Sequence, residues 1–271
     1  MVVDIKNLYD LENILEVYDS LEEKKWIEKL LDNVKEKIYN NELNENNIDE
    51  FKDSVRKITT AYWLMKDKFS KKFRDGWDRY FEHLRAVTNI VLDMKNPSVQ
   101  KVLIALYHDS IEDVDASYEV ISYVSWSEKI ALAVQAMSKR PWQDYSDDKI
   151  EWKAMRNEEY FEHLSSYENM QEYIEELCWE NDIELSAEEI DVVIDNVFNV
   201  KFADRIHNLS TQWDENNTEK VKRKVEETKK YFLEIAYKTN PEAYKKLKTL
   251  ILELEVRLAN FNWKSMQILA K

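Results

Sequence analysis

The chain has 271 residues, 39 of them basic and 54 acidic, so its formal net charge is −15. A charge this negative disfavours nucleic acid or an anionic membrane as a partner, and no window approaches the roughly 18 uninterrupted apolar residues of a membrane span. Cys178 is the only cysteine, which excludes an intramolecular disulfide and favours a reducing compartment. Because the first residues are also too acidic for a signal peptide, we expect a cytoplasmic protein.

Glycine and proline are unusually scarce. One glycine and three prolines occur in the whole chain, against a usual combined share of about 12%. The turns of β-hairpins need glycine or asparagine with positive φ, whereas helices joined by short polar loops need few such residues. The composition therefore predicts an all-α protein.

The first 50 residues carry apolar side chains at helical intervals and predict two or three helices, broken around "NNELNENNIDE". We interpret residues 1–50 as an N-terminal helical extension of a main domain over residues 51–240. A further helix is predicted over "EFKDSVRKITTAYWLMKDKF". After it comes a basic cluster, in which Gly76, the only glycine, marks a turn. The cationic members of this cluster are Lys66, Lys68, Lys71, Lys72, Arg74 and Arg79.

Capping residues indicate where later helices start. Asn96 is placed to cap a helix whose first residue would be Pro97. Ser186 and Glu189 have capping-box spacing ahead of a long apolar helix. Residues 241–271 are expected to form a C-terminal helix packed on the main domain.

The stretch "ALYHDSIEDV" concentrates ionisable side chains in a short segment. If it is helical, His108 lies one turn from Glu112, and Asp109 lies one turn from Asp113. Converging imidazole and carboxylate groups suit Mn²⁺, Fe²⁺ or Zn²⁺ better than Mg²⁺. A solvated, charged helix end is the alternative, and the stretch by itself does not decide between the two.

A second polar group follows in "KFADRIHNL". Asp204 and Asn208 share one helix face, beside apolar neighbours that indicate partial burial. A partly buried carboxylate needs a cation, which can be a metal ion or Arg205 in a salt bridge within the core. An upstream histidine is ambiguous, because the pentapeptide "YFEHL" occurs twice and offers both His83 and His163.

Taken in chain order, these segments resemble the HD-domain metal-dependent phosphohydrolases, and most closely the hydrolase domain of the RelA/SpoT homologues and the small alarmone hydrolases. "RDGWDRYFEHLRAV" is similar to that family's R-x-SG-x-x-Y-x-x-H-P-x-x-V, and "ALYHDSIEDVDASYEVI" to its LLHD-x-x-ED-T-x-x-T-x-x-x-I. "KFADRIHNLST" resembles K-L-ADR-x-HN-x-R-T, and "VEETKKYFLEIA" resembles ET-x-x-x-Y-x-x-x-A. The resemblance covers residues 51–240, implies an HD-domain helical bundle, and places His83 rather than His163 in the site.

The resemblance also implies roles for individual residues. Glu112 and Asp113 match the acidic pair that handles the attacking water, while Arg74 and Asn208 match residues that contact the nucleotide. The implied reaction removes the 3′-pyrophosphate of guanosine tetra- or pentaphosphate (ppGpp or pppGpp), giving GDP or GTP and pyrophosphate. The implied metal ion is Mn²⁺, and its implied ligands are His83, His108, Asp109 and Asp204.

The chain departs from that family around the nucleotide. Asp75 replaces a second basic residue, Leu84 replaces the proline after the first histidine, and Tyr107 replaces the leucine before the His-Asp pair. Two alternatives therefore stay open. One is an enzyme for another nucleotide, such as an adenosine analogue, NADPH or a signalling nucleotide. The other is a non-catalytic nucleotide-binding or interaction protein on the same fold.

Residues 142–185 are longer and more acidic than the usual connection in that family. We interpret them as an inserted acidic helical segment on the surface. A lid or a partner surface is the alternative, and the sequence does not separate these possibilities.

Overall fold

The computed structural model describes residues 21–74, 79–140, 149–215 and 217–269. Across these ranges the chain forms helices and turns but no β-strand, which confirms the all-α prediction. No helix in the same ranges is both long and apolar enough to cross a membrane. In chain order the helices are α1 (Leu21–Lys37), α2 (Ile48–Lys68), α3 (Tyr80–Leu92), α4 (Val99–Tyr107), α5 (Ser110–Val114), α6 (Tyr118–Ser125), α7 (Glu128–Ala136), α8 (Lys149–His163), α9 (Tyr167–Glu180), α10 (Ala187–Ser210), α11 (Thr218–Tyr231), α12 (Leu233–Thr239) and α13 (Pro241–Leu269).

Helix α10 is the central element of the fold. Every residue from Asn196 to Ile206 is buried, and a buried run of that length covers all sides of a helix. Accordingly, α10 packs against α3, α4, α7, α9 and α13. The predicted capping box is confirmed at its start. The Ser186 side chain accepts a hydrogen bond from the Glu189 backbone N–H, and the Glu189 carboxylate accepts one from the Ser186 N–H.

The start of α4 differs from the prediction. Ser98, and not Asn96, caps this helix, since its side chain accepts a hydrogen bond from the Lys101 backbone N–H. Asn96 has a left-handed backbone with φ of 55°, a conformation that asparagine tolerates better than most residues. Pro97 therefore precedes the helix. The cap prediction is wrong because Asn96 forms the turn before the helix and leaves the capping position to a serine with extended backbone.

Helices α1 and α2 belong to the same hydrophobic core as the rest of the described chain. α1 packs on α2 and α3, and α2 packs on α4 and α6. The predicted break between them falls where expected, and α2 covers the helix predicted from "EFKDSVRKITTAYWLMKDKF". Residues 1–20 of the predicted extension lie outside the described residues. The buried side chains of α1 include Ile27, Leu30, Leu31 and Val34.

The inserted acidic segment forms α8 and α9, apart from residues 142–148, which lie outside the described residues. Helix α9 packs on α7 and α10 through an apolar side, while its acidic side faces outward. Arg140 links both helices to the end of α7, because its guanidinium pairs with Glu159 on α8 and with Glu176 on α9. The segment is thus built into the core along one side.

The last helix, α13, runs against the central helix α10 and also contacts α11 and α12. Asn240 holds its first turn, because its side-chain oxygen accepts a hydrogen bond of 3.0 Å from the Ala243 N–H. The amide nitrogen of Asn240 donates to Asn199 Oδ1 on α10 at 2.7 Å. This buried amide pair fixes the register between the two helices.

Arg85 on α3 lies buried at the contact with α1 and α2. Its guanidinium lies 4.9 Å from the ring centroid of Trp26 and 5.2 Å from that of Phe81. It also donates to the Tyr62 hydroxyl at 3.1 Å and to the Glu82 carboxylate at 2.9 Å. A cation enclosed by aromatic rings and hydrogen-bond acceptors stabilises this helix junction.

We expect Arg85→Met to lower the free energy of unfolding by about 2–3 kcal/mol, because it removes the cation–π contacts and the hydrogen bond to the Tyr62 hydroxyl. Chemical denaturation measures the change. Arg79→Met is the matched control, since Arg79 also pairs with Glu82 but has a side chain that is 54% exposed. We expect the control to change stability by less than about 1 kcal/mol. Equal losses for both variants would contradict the role given to Arg85.

Candidate metal centre

Three parts of the fold bring polar side chains to one buried point. Helix α3 supplies His83, the junction of α4 and α5 supplies His108 and Asp109, and α10 supplies Asp204. The junction is not one continuous helix, because α4 ends at Tyr107 and Asp109 has a φ of −103°. One helical turn nevertheless follows Asp109, because the Asp113 N–H donates a hydrogen bond to the Asp109 carbonyl at 2.9 Å.

The facing atoms of these four side chains are mutually close. His83 Nε2 lies 3.2 Å from Asp204 Oδ1, 3.4 Å from Asp109 Oδ2 and 3.2 Å from His108 Nε2. His108 Nε2 lies 3.1 Å from Asp109 Oδ2 and 3.9 Å from Asp204 Oδ1. Ligand atoms bound at about 2.0–2.2 Å to one ion are separated from each other by roughly 3.0–3.5 Å. The spacing therefore fits a common divalent ion, and His83, His108 and Asp109 form a possible metal-binding group.

The histidine tautomers also suit a metal ion. His108 Nδ1 lies 2.8 Å from the Ala105 carbonyl, so this nitrogen carries the proton and the Nε2 lone pair faces the cluster. His83 Nδ1 lies 2.7 Å from His207 Nδ1. Burial, His83 and Arg74 together lower the pKa of His207 to about 4. A neutral His207 can accept a hydrogen bond from the Nδ1–H of His83, which leaves the Nε2 lone pair of His83 free to coordinate.

The carboxylates of Asp109 and Asp204 are both ionised although they are largely buried. Burial opposes ionisation of Asp109, but His108 and His83 outweigh it and lower its pKa well below the usual range. Burial likewise opposes ionisation of Asp204, and Lys201 and His83 outweigh it and lower that pKa as well. Both groups stay ionised at neutral pH, as hard oxygen ligands must.

Asp204 has partners on each side along α10. Its Oδ2 lies 3.4 Å from Lys201 Nζ, and its Oδ1 accepts a hydrogen bond of 2.5 Å from the Asn208 amide. The predicted alternative, a core salt bridge with Arg205, is wrong. Arg205 Nη1 instead lies 3.4 Å from Glu227 Oε2, because successive helical residues point in different directions.

The residues expected to contact a nucleotide lie next to this cluster. Arg74 Nη2 donates to Asn208 Oδ1 at 2.6 Å, and its Nη1 lies 3.4 Å from His207 Nδ1. Arg74, Asn208 and Asp204 thus form one hydrogen-bonded chain from the surface to the buried site. Asp75, one of the departures around the nucleotide, lies outside the described residues, as does Gly76 of the predicted turn.

The predicted acidic pair points in two directions. Asp113 Oδ1 lies 3.2 Å from Lys72 Nζ, on the side of the basic cluster. Glu112 Oε1 accepts a hydrogen bond of 2.9 Å from the Lys139 backbone N–H, at the end of α7. The two carboxylates therefore have separate partners, and Asp113 is the one that also lies close to Tyr80.

Sequence reasoning did not assign roles to three residues that contact the site: Tyr80, Lys201 and His207. The Tyr80 hydroxyl donates to Asp109 Oδ2 at 2.8 Å, and its ring stacks on Phe69. Burial and the charge of Asp109 raise the pKa of Tyr80, so the phenol remains a donor. "KFADRIHNL" contained a signal for Lys201, which stands at i−3 from Asp204 on the same helix face. His163, the alternative histidine, stacks on Tyr173 of α9 instead.

The fold is similar to that of a solved structure described as a metazoan orthologue of SpoT, a protein that hydrolyses ppGpp and plays a role in starvation responses. The two structures have a TM-score of 0.51 and 16% sequence identity, over 73% of this chain and 94% of the other. No protein-family model matches the chain, and no curated protein matches its sequence. The likeness confirms the helical fold predicted from the ordered motifs.

We expect the affinity for Mn²⁺ to rise with pH across the range from about 6 to about 8. Burial disfavours the imidazolium form of His83, but contacts with Asp109 and Asp204 outweigh it and raise its pKa. A proton thus competes with the ion over a wider range, and affinity should fall roughly tenfold per pH unit below that pKa. Titration calorimetry measures both the affinity and the proton released. His163→Gln should keep the same slope, and a pH-independent affinity would exclude His83 as a ligand.

We expect Tyr80→Phe to weaken Mn²⁺ binding by about tenfold, because the variant loses the hydrogen bond to Asp109 and keeps the ring that stacks on Phe69. Calorimetry on the folded variant measures the change. Tyr107→Phe is the matched control: the Tyr107 hydroxyl is buried, next to His108, and has no hydrogen-bond partner among the described residues. An unchanged affinity in Tyr80→Phe would show that the phenol does not orient the ligand.

Proposed function

We propose that this protein is a metal-dependent phosphohydrolase that removes the 3′-pyrophosphate of ppGpp or pppGpp, with Mn²⁺ as its ion. The observation that carries this proposal is the convergence of His83, His108, Asp109 and Asp204 from three separate parts of the fold. Two carboxylates and two correctly oriented imidazoles have no need to meet in a core unless a cation joins them. The likeness to a ppGpp hydrolase agrees with that chemistry.

The nucleotide would lie against Arg74 and Asn208. Arg74 lies at the edge of the site, and its hydrogen bond to Asn208 connects it through the Asn208 amide to Asp204. Lys72 lies on the same side, beside Asp113. Such a basic edge offsets the net charge of −15 where a polyanionic substrate has to approach.

The acidic residues would act on the attacking water. A bound divalent ion supplies positive charge for the phosphoryl oxygens and lowers the pKa of a coordinated water. Asp113 would accept a proton from the attacking water, and its contacts with Lys72 and Tyr80 would hold it for that role. Glu112 lies on the opposite side of the site, where its carboxylate accepts a hydrogen bond from the Lys139 N–H. Tyr80 would orient Asp109 through the hydrogen bond from its hydroxyl to Oδ2.

The direct test is incubation of the full chain with ppGpp and Mn²⁺, with release of pyrophosphate as the measurement. We expect turnover by the wild type and none by Asp109→Ala. Asp113→Asn should lower kcat by about 10²–10⁴, the usual contribution of a positioned acid or base. Asp115→Asn is the matched control, because Asp115 is exposed and ends α5 in a left-handed conformation that asparagine also accepts.

A panel of other nucleotides tests the identity of the substrate independently of the reaction class. It includes an adenosine analogue, NADPH and signalling nucleotides. Turnover of only one of these nucleotides would support a metal-dependent phosphohydrolase whose substrate is that nucleotide and not ppGpp. No release of phosphate or pyrophosphate from any nucleotide by the Mn²⁺-loaded wild type would overturn the proposal.

A further inference from the structure

Lys139 and Arg140 lie between the inserted acidic segment and the candidate site, and together they contact both. The two residues follow the end of α7 at Ala136. On one side, the Lys139 backbone N–H donates a hydrogen bond of 2.9 Å to Glu112 Oε1. On the other side, both side chains contact helices of the inserted acidic segment. This junction is therefore a physical connection between the segment and one of the two acids of the site.

The Arg140 guanidinium is held by three carboxylates of the inserted acidic segment. Its Nη2 donates to Glu176 Oε1 at 2.8 Å and its Nη1 to Glu180 Oε1 at 3.2 Å, both on α9. Its Nε lies 3.3 Å from Glu159 Oε1 on α8, and its Cζ lies 5.4 Å from the ring centroid of Tyr173. A planar guanidinium with several partners in fixed directions loses most of its freedom to rotate. The backbone at Arg140 is restrained as a result.

Two further contacts restrain the same junction. The Lys139 ammonium lies 5.0 Å from the ring centroid of Tyr160, a buried residue of α8. Asn181, which follows α9, donates a hydrogen bond of 3.0 Å to Gln135 Oε1 in the last turn of α7. A cation–π contact and an amide hydrogen bond each add to the ion pairs of Arg140. The end of α7 is thus attached to both α8 and α9.

The inserted acidic segment also reaches the candidate metal centre directly. Lys201 Nζ lies 5.3 Å from the ring centroid of Tyr160 and 3.4 Å from Asp204 Oδ2. Tyr160 and Lys201 are both buried. The segment therefore lies against the site on two sides, at Asp204 through Lys201 and at Glu112 through Lys139.

The orientation of Glu112 depends on this junction. Glu112 is exposed and lies on α5, a helix of five residues. An exposed glutamate samples several rotamers, which move its carboxylate relative to the backbone. The hydrogen bond from the Lys139 N–H favours one of these rotamers. The direction of that N–H is set by the backbone at Lys139 and Arg140, which the inserted acidic segment restrains.

We propose that Arg140 is a positioning residue for Glu112, and that the inserted acidic segment acts through it as a brace for the candidate site. Three carboxylates of the segment hold Arg140, and the adjacent Lys139 then presents its N–H to Glu112. The inference deepens the proposed function and rests on it for the action of Glu112 on the attacking water. A brace differs from a lid, because its contacts with the end of α7 stay in place when substrate enters.

Hydrogen exchange of the Lys139 amide in the full chain, followed by NMR, tests the brace without any turnover. Glu112→Ala should accelerate this exchange by at least about tenfold, the usual effect of losing a hydrogen bond to a charged group. Arg140→Met should accelerate it about tenfold as well, because the N–H is no longer held toward Glu112. Amides in the interior of α10 should exchange at the wild-type rate in both variants, which separates a local change from general loosening.

Steady-state kinetics with ppGpp gives a second measurement. Arg140→Met should lower kcat about tenfold and leave KM and the affinity for Mn²⁺ unchanged, since the contacts of Arg140 are with the inserted acidic segment. A displaced acid slows the chemical step without weakening binding. Arg140→Met combined with Glu112→Gln should be no slower than Glu112→Gln alone, as expected when one residue acts through the other.

Arg56→Met is the matched control. Arg56 also combines an ion pair, with Asp53 at 2.6 Å, and an aromatic contact, at 4.2 Å from the ring centroid of Trp126, but it lies on α2. It should change neither the exchange of the Lys139 amide nor kcat. Arg140→Lys keeps a positive charge among the three carboxylates without the planar fork, so it should give a smaller acceleration than Arg140→Met. Melting temperatures show whether each variant is folded.

Unchanged exchange of the Lys139 amide in Arg140→Met, or equal acceleration in Arg56→Met, would overturn the brace. A wild-type kcat in Arg140→Met would overturn it too. Accelerated exchange in Arg140→Met of a chain that hydrolyses no nucleotide would reject the proposed function and leave the structural connection standing. Hydrolysis of ppGpp by a chain whose Lys139 exchange ignores Arg140 would do the reverse.

Discussion

Two ionised carboxylates lie within 3.4 Å of the same histidine nitrogen inside a helical core, and the architecture around them follows from that constraint. Isolated buried charges of like sign are strongly unfavourable, and each needs cations or donors nearby. Asp109 accepts a hydrogen bond from Tyr80 and contacts two imidazoles, while Asp204 contacts Lys201 and accepts a hydrogen bond from Asn208. These partners come from α3, α10 and the junction of α4 and α5. The charges therefore hold together elements that are distant in sequence.

Electrostatics also divides the site into two ends. Asp204 faces Asn208 and Arg74 through one oxygen and Lys201 through the other. A protein with a net charge of −15 concentrates cations on both sides of this single carboxylate. Positive charge therefore lies at both ends of the candidate metal centre. The same division separates Asp113, beside Lys72, from Glu112, beside the end of α7.

The fold class and the order of the polar motifs were predictable from the sequence, because glycine scarcity and helical spacing are local properties. The choice of His83 over His163 was not local, since both stand in the same pentapeptide, and it came from the resemblance of the surrounding motifs. Contacts across long sequence separations, such as Arg74 with His207, could not be predicted from spacing. Asn96 shows a local failure, since its preference for a left-handed turn outweighed its preference for a helix cap.

Helix α10 carries Lys201, Asp204 and Asn208 on one continuous buried run. Because each residue of a helix turns by about 100°, one inserted or deleted residue between Lys201 and Asn208 would swing one end of the site away from the other. Substitutions in this stretch change single contacts, whereas an insertion or deletion would separate Asp204 from Lys201 or from Asn208. Length variation among related chains should therefore be confined to connections such as the one between α9 and α10, and be absent from the interior of α10.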